Sequence, residues 1–458
     1  MKLPDAFINK YQHLLGDEAP AFLTSFDQPA TGGFRVNSAK AAPTATLDRA
    51  TGKVEYVPTG YRGAVDGKSL DHVAGAIYSQ EPSAMYVGEV VAPQPGERVL
   101  DLWAAPGGKT THLVAKMKDQ GLLVANEIFR KRALVLAENL ERWGTAQTVV
   151  TNESPADLEK QFPQFFDRIL VDAPCSGEGM FRKEPAGMEY WTPDYPAECA
   201  NRQRKILASA LKMLKPEGTL VYSTCTFAPE EDEQNAAWLL ATYPGLTMVP
   251  IKKYPGMDDG RPEWADGNPD LAKAVRLFPH RIAGEGPFIA KFQLAATGSG
   301  SVISGQAKKK KKHRKGHQQD GVTKEQRQLF SDFCQWFMPD YQPHQLLTYG
   351  DQLYDMPAEI SSVEGLTALR PGLHLGTFKK RRFEPALALA LAIDPAVTTR
   401  RIDLSTEQWR SYVHGDVLSG PAELSNGWYL LTCQGFNVGF GKLVNGTVKN
   451  FYPKGLRF

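Results

Sequence analysis

Two stretches fifty residues apart hold the residue types best suited to covalent chemistry, "VDAPCSG" (171–177) and "YSTCTF" (222–227). Each reads as an apolar strand that ends on a cysteine among small, turn-forming residues. Cysteine is sparse, five in 458 residues, so two at strand ends call for a common explanation. As a thiolate, cysteine is a nucleophile; as a thiol it trades protons. Two thiols at one sheet edge can therefore divide an addition and an elimination between them. Cys199 in a helical stretch, and Cys334 and Cys433 further along, read as small packed hydrophobes.

The elements that must position the pair alternate. "ERVLDLWAA", "GLLVANEI", "AQTVVTN", "DRILVDAP" and "GTLVYSTC" are apolar runs of strand length, separated by helical stretches such as "RKRALVLAENLERWG" and "RQRKILASALKMLKPEG". Such alternation predicts an α/β fold with a parallel, doubly wound sheet covered on both faces. "GPFIAKFQL" has no long helix before it and is expected to pair antiparallel at an edge. Ligands of such sheets sit beyond the carboxyl ends of the strands. The first strand runs into "WAAPGGKTTHL", where Trp103, Ala104, Ala105, Pro106, Gly107, Gly108 and Lys109 form a small-residue turn into a helix. The second ends at Glu127, whose carboxylate suits the two hydroxyls of a ribose; the third ends at Asn152, near an adenine position, and the fourth at Asp172. The loop is neither a Walker loop nor a full GxGxxG, so a nucleoside without a triphosphate fits it. S-adenosylmethionine is the expected cofactor.

A methyl donor gives the thiols a use. Carbon 5 of a pyrimidine becomes nucleophilic only after a nucleophile has added at carbon 6, and the adduct must later lose a proton and eliminate. One sulfur adds and the other assists release; the residues alone leave open which does which. Asp172 is placed to bond the exocyclic amine of cytosine, and Lys109 to lower a thiol pKa or bind phosphate. An N-methylating enzyme would carry Asp/Asn-Pro-Pro-aromatic after the fourth strand, which "DAPCSG" does not supply.

Composition sets the frame. With 42% hydrophobic and 23% charged residues over 458 positions the chain is globular and divides into several domains. No apolar run is long enough to cross a membrane, no Cys/His cluster has metal-ligand spacing, and the scattered cysteines suit a reducing compartment, so a cytoplasmic protein without metal is expected. The basic run "KKKKKHRK" (308–315) sits in linker-like sequence. "FKKRRF" (378–383), "FRKR" (129–132) and "MFRK" (180–183) interleave aromatic and basic residues, a combination that stacks bases and neutralises phosphates. RNA is the expected partner.

"DLWAAPGGKT", "ANEIFRKR", "DAPCSGEGMFRK", "RQRKIL", "STCTFAPEEDE", "YSQEPSAM" and "PHRIAGEGPF" resemble the Nop/Sun family of RNA 5-methylcytosine methyltransferases, and "KNFYPKGLRF" resembles the PUA-like tail of its bacterial RsmF-type branch. The resemblance spans nearly the whole chain except the basic linker. It implies a class I, Rossmann-like methyltransferase sheet at 93–297, an N-terminal α+β RNA-binding module at 1–92, a flexible linker at 298–320, an α+β module at 321–394 and a β-rich PUA-like module at 395–458. It implies Cys225 as nucleophile and Cys175 as the releasing residue. It places the methyl donor against 103–109, Glu127, Arg132, the turn from Asn152 to Ser154, and Asp172. Three positions depart from the family: Trp103 stands where cysteine is usual, Ser154 where the third strand usually brings an acid, and Pro287 where an aromatic is usual. The implied substrate is small-subunit ribosomal RNA, acted on by a monomer. Transfer RNA is the alternative substrate, and a noncatalytic RNA-binding assembly factor the alternative function.

Overall fold

The structure, a computed structural model, describes residues 2–296 and 321–458; the basic run 308–315 lies outside the described residues. At the centre is the doubly wound sheet. Its strands β1 (Arg98–Asp101), β2 (Leu122–Asn126), β3 (Thr148–Thr151), β4 (Phe166–Asp172) and β5 (Leu214–Thr224) pair in parallel, in the order β3-β2-β1-β4-β5. The strand order reverses between β1 and β4, which opens a crevice at their carboxyl ends. Neighbouring residues alternate between two cores. Leu100, Val124, Val149 and Ile169 lie on one face, and Val99, Leu123, Val150 and Leu170 on the other. Both faces are buried, so these strands read as continuous rather than alternating apolar runs.

β6 (Phe288–Leu294) pairs antiparallel with β5, as expected, but it is not an edge. Val275–Arg276 and Leu246–Met248 both pair with its other side. Those strands are two and three residues long, too short to show a period. The far edge holds a second difference: β7 (Ala368–Arg370), from the region after the linker, adds antiparallel to β3. A three-residue strand pairing across more than two hundred positions leaves no local signal.

Three helices bear on the crevice. Gly107, at φ +111°, turns the chain from β1 into α1 (Gly108–Met117); a Cβ there would stand 3.2 Å from Leu136 Cδ1. Helix α2 (Arg130–Trp143) follows β2 and ends on Gly144 in the left-handed region, with Arg142 in its last turn. Helix α3 (Tyr195–Met213) covers the β4–β5 side and buries Cys199, Gln203, Ile206, Leu207 and Ala210.

The N-terminal helix Asp5–Leu15 buries Phe7, Tyr11 and Leu15. With Phe22 and Phe26 these aromatics meet Phe181, Trp191, Phe227 and Phe278 in one cluster, and Phe227 lies two residues beyond Cys225. A four-stranded sheet built on Gly33–Val36 follows. Beyond the linker, the helix Lys324–Phe337 packs with an antiparallel sheet of Gln345–Tyr349, Gln352–Met356, Leu373–Lys379 and Arg382–Pro385. A last, five-stranded sheet centres on Gly427–Cys433 and Phe436–Val444, with the helix Thr406–His414 against it.

Candidate active site

The ends of β4 and β5 bring the two thiols together. Cys175 Sγ lies 3.2 Å from Cys225 Sγ, and the Cys225 N–H points to Cys175 Sγ at 3.4 Å. Both are free thiols, half-buried. The Cys175 thiol is pushed well up, first by its hydrogen bond to Cys225 and then by burial. Either sulfur can donate in this contact, and of the two it is Cys175 whose thiol the surroundings hold against ionisation. Cys199 and Cys433 are fully buried in cores, and burial pushes the Cys199 thiol up to about 11.

Lys109, in the first turn of α1, reaches Asp172 at the end of β4: Nζ to Oδ2 is 2.7 Å, and Asp172 Oδ1 accepts the Ser223 hydroxyl at 2.7 Å. Burial works against the Lys109 ammonium, but Asp172, Cys225 and Asp101 together raise its pKa above the ordinary lysine value. A persistent cation therefore stands within electrostatic reach of the Cys225 sulfur. Beneath the loop, Asp101 is fully buried and accepts from Thr110 Oγ1 at 2.8 Å; burial pushes its carboxyl up to about 7.

The crevice beside this pair offers what a nucleoside needs. Glu127 is fully buried; Oε1 accepts the Phe129 N–H at 2.9 Å, while Oε2 has no hydrogen bond and only Arg132 at 3.4 Å. An unpartnered buried carboxylate oxygen costs free energy unless a ligand supplies the donor, and ribose hydroxyls supply two. Arg132 also donates to Ala105 O at 2.9 Å, tying α2 to the loop. The Trp103 indole N–H is likewise buried and unpartnered. Gly108 leaves room where a Cβ would crowd Gln80 and Tyr78 at 3.3 Å. These features fit the nucleoside part of S-adenosylmethionine.

The third strand end differs in detail. Asn152 donates its side-chain amide to Glu127 O and Ile128 O at 2.7 and 2.9 Å, so it shapes the turn around Glu127. Ser154 caps a short helix, accepting from Asp157 N at 3.2 Å. Glu153 turns to the neighbouring region, where Oε1 accepts Thr367 N–H at 2.7 Å.

The aromatic–basic clusters divide. Phe378, Phe383 and Phe181 are buried in cores and offer no ring to a base, whereas Phe129 is 56% exposed. The "FKKRRF" rings pack inward from a hairpin and Phe181 of "MFRK" joins the aromatic cluster of the N-terminal helix, which corrects the stacking expected of both.

Sequence reasoning missed a buried polar layer under the thiols. Glu231 takes Ser176 N–H at 2.9 Å and Gln203 Nε2 at 2.7 Å, and Gln203 also donates to Pro174 O at 3.1 Å. Thr224, next to Cys225, donates to Asp232 at 2.6 Å. Arg276 then ties Asp232 (3.0 Å) to Glu233 (2.5 Å) in full burial. The signal was the acidic run "PEEDE" directly after the second cysteine.

Comparison with known proteins agrees along the chain. Residues 89–293 match the family described as 16S rRNA methyltransferase RsmB/F. Residues 3–82 match the N-terminal domain of 16S rRNA methyltransferase RsmF, 332–393 its first C-terminal domain and 399–458 its PUA domain. The ribosomal RNA small subunit methyltransferase F of Shewanella loihica is 31% identical over 100% of this chain and 96% of its own length; that of Aliivibrio fischeri is 30% identical, over 99% and 97%. A methyltransferase homologue from Pyrococcus horikoshii of known structure is 30% identical, with a TM-score of 0.56 over 62% of this chain and 93% of its own. NSun6 from the same organism shares the fold at 20% identity and a TM-score of 0.56, over 64% and 98%.

Proposed function

The chain belongs to the RsmB/F family of 16S rRNA methyltransferases, enzymes that use S-adenosylmethionine to methylate cytosine carbon 5 in ribosomal RNA, and from that membership we propose that Cys225 is its nucleophile and Cys175 its releasing residue. The observation that carries the assignment is the pair itself: two sulfurs 3.2 Å apart at the ends of neighbouring strands, with Lys109 within electrostatic reach of Cys225.

Bound in the crevice, S-adenosylmethionine supplies an electrophilic methyl group. Glu127, Arg132, the turn 103–109 and the strand end at Asn152 are the residues proposed to hold it, with Asp172 and Lys109 at the boundary between donor and base. Ser154 is proposed there for its place in the turn, although its hydroxyl is committed to a helix cap. A cytosine must leave any stack to reach the sulfurs. The Cys225 thiolate, near the Lys109 ammonium, adds to carbon 6. Asp172 accepts from the exocyclic amine and steadies the positive ring nitrogen that addition favours. Carbon 5, now enamine-like, takes the methyl group. Cys225 has meanwhile become a neutral thioether and no longer stands as a thiolate beside Cys175. Cys175 can then give its proton to solvent and, as a thiolate, take the proton from carbon 5 while the sulfur–carbon 6 bond breaks.

The flanking modules at 1–92, 321–394 and 395–458 are proposed to hold the surrounding RNA, with the whole acting as a cytoplasmic monomer. Among the described residues no helix is long and apolar enough to cross a membrane. Methyl transfer from labelled S-adenosylmethionine to small-subunit ribosomal RNA tests the function. Transfer that Cys225→Ala abolishes is expected; transfer to transfer RNA alone, or none to any RNA, would overturn the reading.

A further inference from the structure

Each cysteine is followed by a hydroxyl residue, and the two hydroxyls meet. Ser176 Oγ lies 2.8 Å from Thr226 Oγ1. Behind Ser176, Glu231 Oε1 touches the hydroxyl while Oε2 accepts the Ser176 N–H. Behind Thr226, Glu178 Oε2 accepts the Thr226 hydroxyl at 2.9 Å, the Phe227 N–H at 3.2 Å and the hydroxyl of Tyr11 from the N-terminal helix; Oε1 takes the Trp191 indole N–H at 3.0 Å. Ser176, Thr226, Glu178 and Glu231 are all buried. The row Glu231–Ser176–Thr226–Glu178 thus spans, one residue along, the same gap that separates the sulfurs.

Hydrogens in this row can be counted. Three oxygen–oxygen contacts need three hydrogens, and Ser176 and Thr226 bring only two. Glu178 accepts at each of its contacts, so Thr226 is the donor at that end of the row. The third hydrogen belongs on Glu231, which donates to Ser176, Ser176 to Thr226, and Thr226 to Glu178. The surroundings agree: burial, with Glu178 nearby, pushes the Glu231 carboxyl up to about 8, and Asp232, Cys175, Cys199, Tyr195 and Tyr222 are the other ionisable groups that face it.

Resting on the division of labour proposed above, we infer that Ser176 and Thr226 are positioning residues, whose hydroxyl pair, strung between the buried carboxyl groups of Glu231 and Glu178, sets the spacing between the adding and the releasing sulfur. Without the pair, Cys225 keeps its own anchors, since the Gly179 N–H bonds its carbonyl at 2.9 Å and Glu178 holds Phe227 N–H. The Cys175 side keeps the Ser176 N–H to Glu231 and the Gln203 amide to Pro174 O, but loses the hydroxyl bond that ties the residue after Cys175 to the residue after Cys225. Addition and methyl transfer then continue while elimination lags.

The test uses full-length enzyme turning over on ribosomal RNA, with denaturing gels to count covalent enzyme–RNA complexes. Thr226→Val is expected to raise the complex several-fold and lower kcat while KM for S-adenosylmethionine holds, and Thr226→Ser to restore both. Ser176→Ala should behave as Thr226→Val does. Glu231→Gln keeps a donor toward Ser176 and an acceptor for its N–H, so it should retain at least tenfold more activity than Glu231→Ala. Cys175→Ala is the reference: if it accumulates no complex, the assignment of the two thiols fails. If it does, and Thr226→Val melts and turns over as wild type does, the positioning role fails. Should Thr226→Val melt early, Glu231→Gln decides, because activity as low as that of Glu231→Ala would overturn the hydrogen assignment.

Discussion

At the residue scale, two chemically identical thiols differ because one hydrogen bond makes them differ. The contact with Cys225 and burial hold the Cys175 thiol well above the ordinary cysteine value, and with the roles proposed above each deletion should fail in its own way. Cys225→Ala is expected to abolish methylation and covalent complex alike while RNA and cofactor still bind. Cys175→Ala is expected to trap enzyme on methylated RNA, visible on a denaturing gel; the opposite pattern would exchange the roles. Glu127 makes a second prediction. Its unpartnered Oε2 is the proposed ribose acceptor, and Glu127→Ala should weaken S-adenosylmethionine binding by about 1.5–3 kcal/mol in calorimetry, the range for hydrogen bonds to a charged group. Glu231 adds a pH dependence. Its folded pKa, about 8, lies above the ordinary carboxyl value of 4.5, so the folded protein holds a proton that the unfolded chain releases. That contribution is complete at low pH and is lost as pH rises from about 4.5 toward 8. Melting curves should show wild type losing ground to Glu231→Gln across that window.

At the element scale, the crevice depends on how each strand hands over to its helix. Gly107 makes the sharpest of these turns, at a positive φ and against Leu136 of α2. Gly107→Ala brings both backbone strain, about 1–2 kcal/mol, and a crowded Cβ. We expect a lower melting temperature together with weaker S-adenosylmethionine binding, because the turn and α2 move as one through the Arg132–Ala105 bond. A variant that melts early but binds normally would separate the two. On the β5 side, Thr224, Asp232, Arg276 and Glu233 form a buried charged brace immediately before and after Cys225. Burial opposes the Arg276 cation, but Glu233 and Asp232 hold its pKa above the ordinary arginine value. Removing one member of such a group exposes the cost of burying the rest.

At the scale of the whole molecule, the catalytic sheet is finished by chain from outside it. β7 pairs with β3, Arg370 donates to Thr148 O and Thr145 O at 2.9 and 2.5 Å, and Asn152 N–H bonds Thr367 O at 2.9 Å. The turn beside Glu127 is therefore braced by a segment that follows the linker. A fragment ending at 296 would leave β3 as an open edge. It is expected to melt earlier than the full chain and to bind S-adenosylmethionine more weakly; calorimetry on both proteins checks this, and equal affinity would make the brace irrelevant to the crevice. From the other side, Arg35 of the N-terminal sheet is fully buried and donates to Gly108 O and Thr111 Oγ1 at 2.6 and 2.7 Å, so the two flanks clamp different walls of the same crevice.

The five parallel strands, the helices between them and the placing of both cysteines at strand ends were legible in the sequence. Each rests on local physics: apolar runs of strand length, helical periodicity, and glycines where a turn demands them. Glu127 could be found in the same way, as a polar residue at a strand end. What only the tertiary structure decided comes from groups far apart in the chain. The 3.2 Å between the sulfurs, the raised pKa of the Cys175 thiol and the row from Glu231 to Glu178 need β4, β5 and the acidic run folded onto one another. The buried rings of Phe181, Phe378 and Phe383 and the strand β7 were equally out of reach, since burial and non-local pairing are properties of the assembled core. Sequence names the reacting groups through residue type and local spacing; their protonation depends on desolvation and on neighbours, and those exist only once the chain has closed around them.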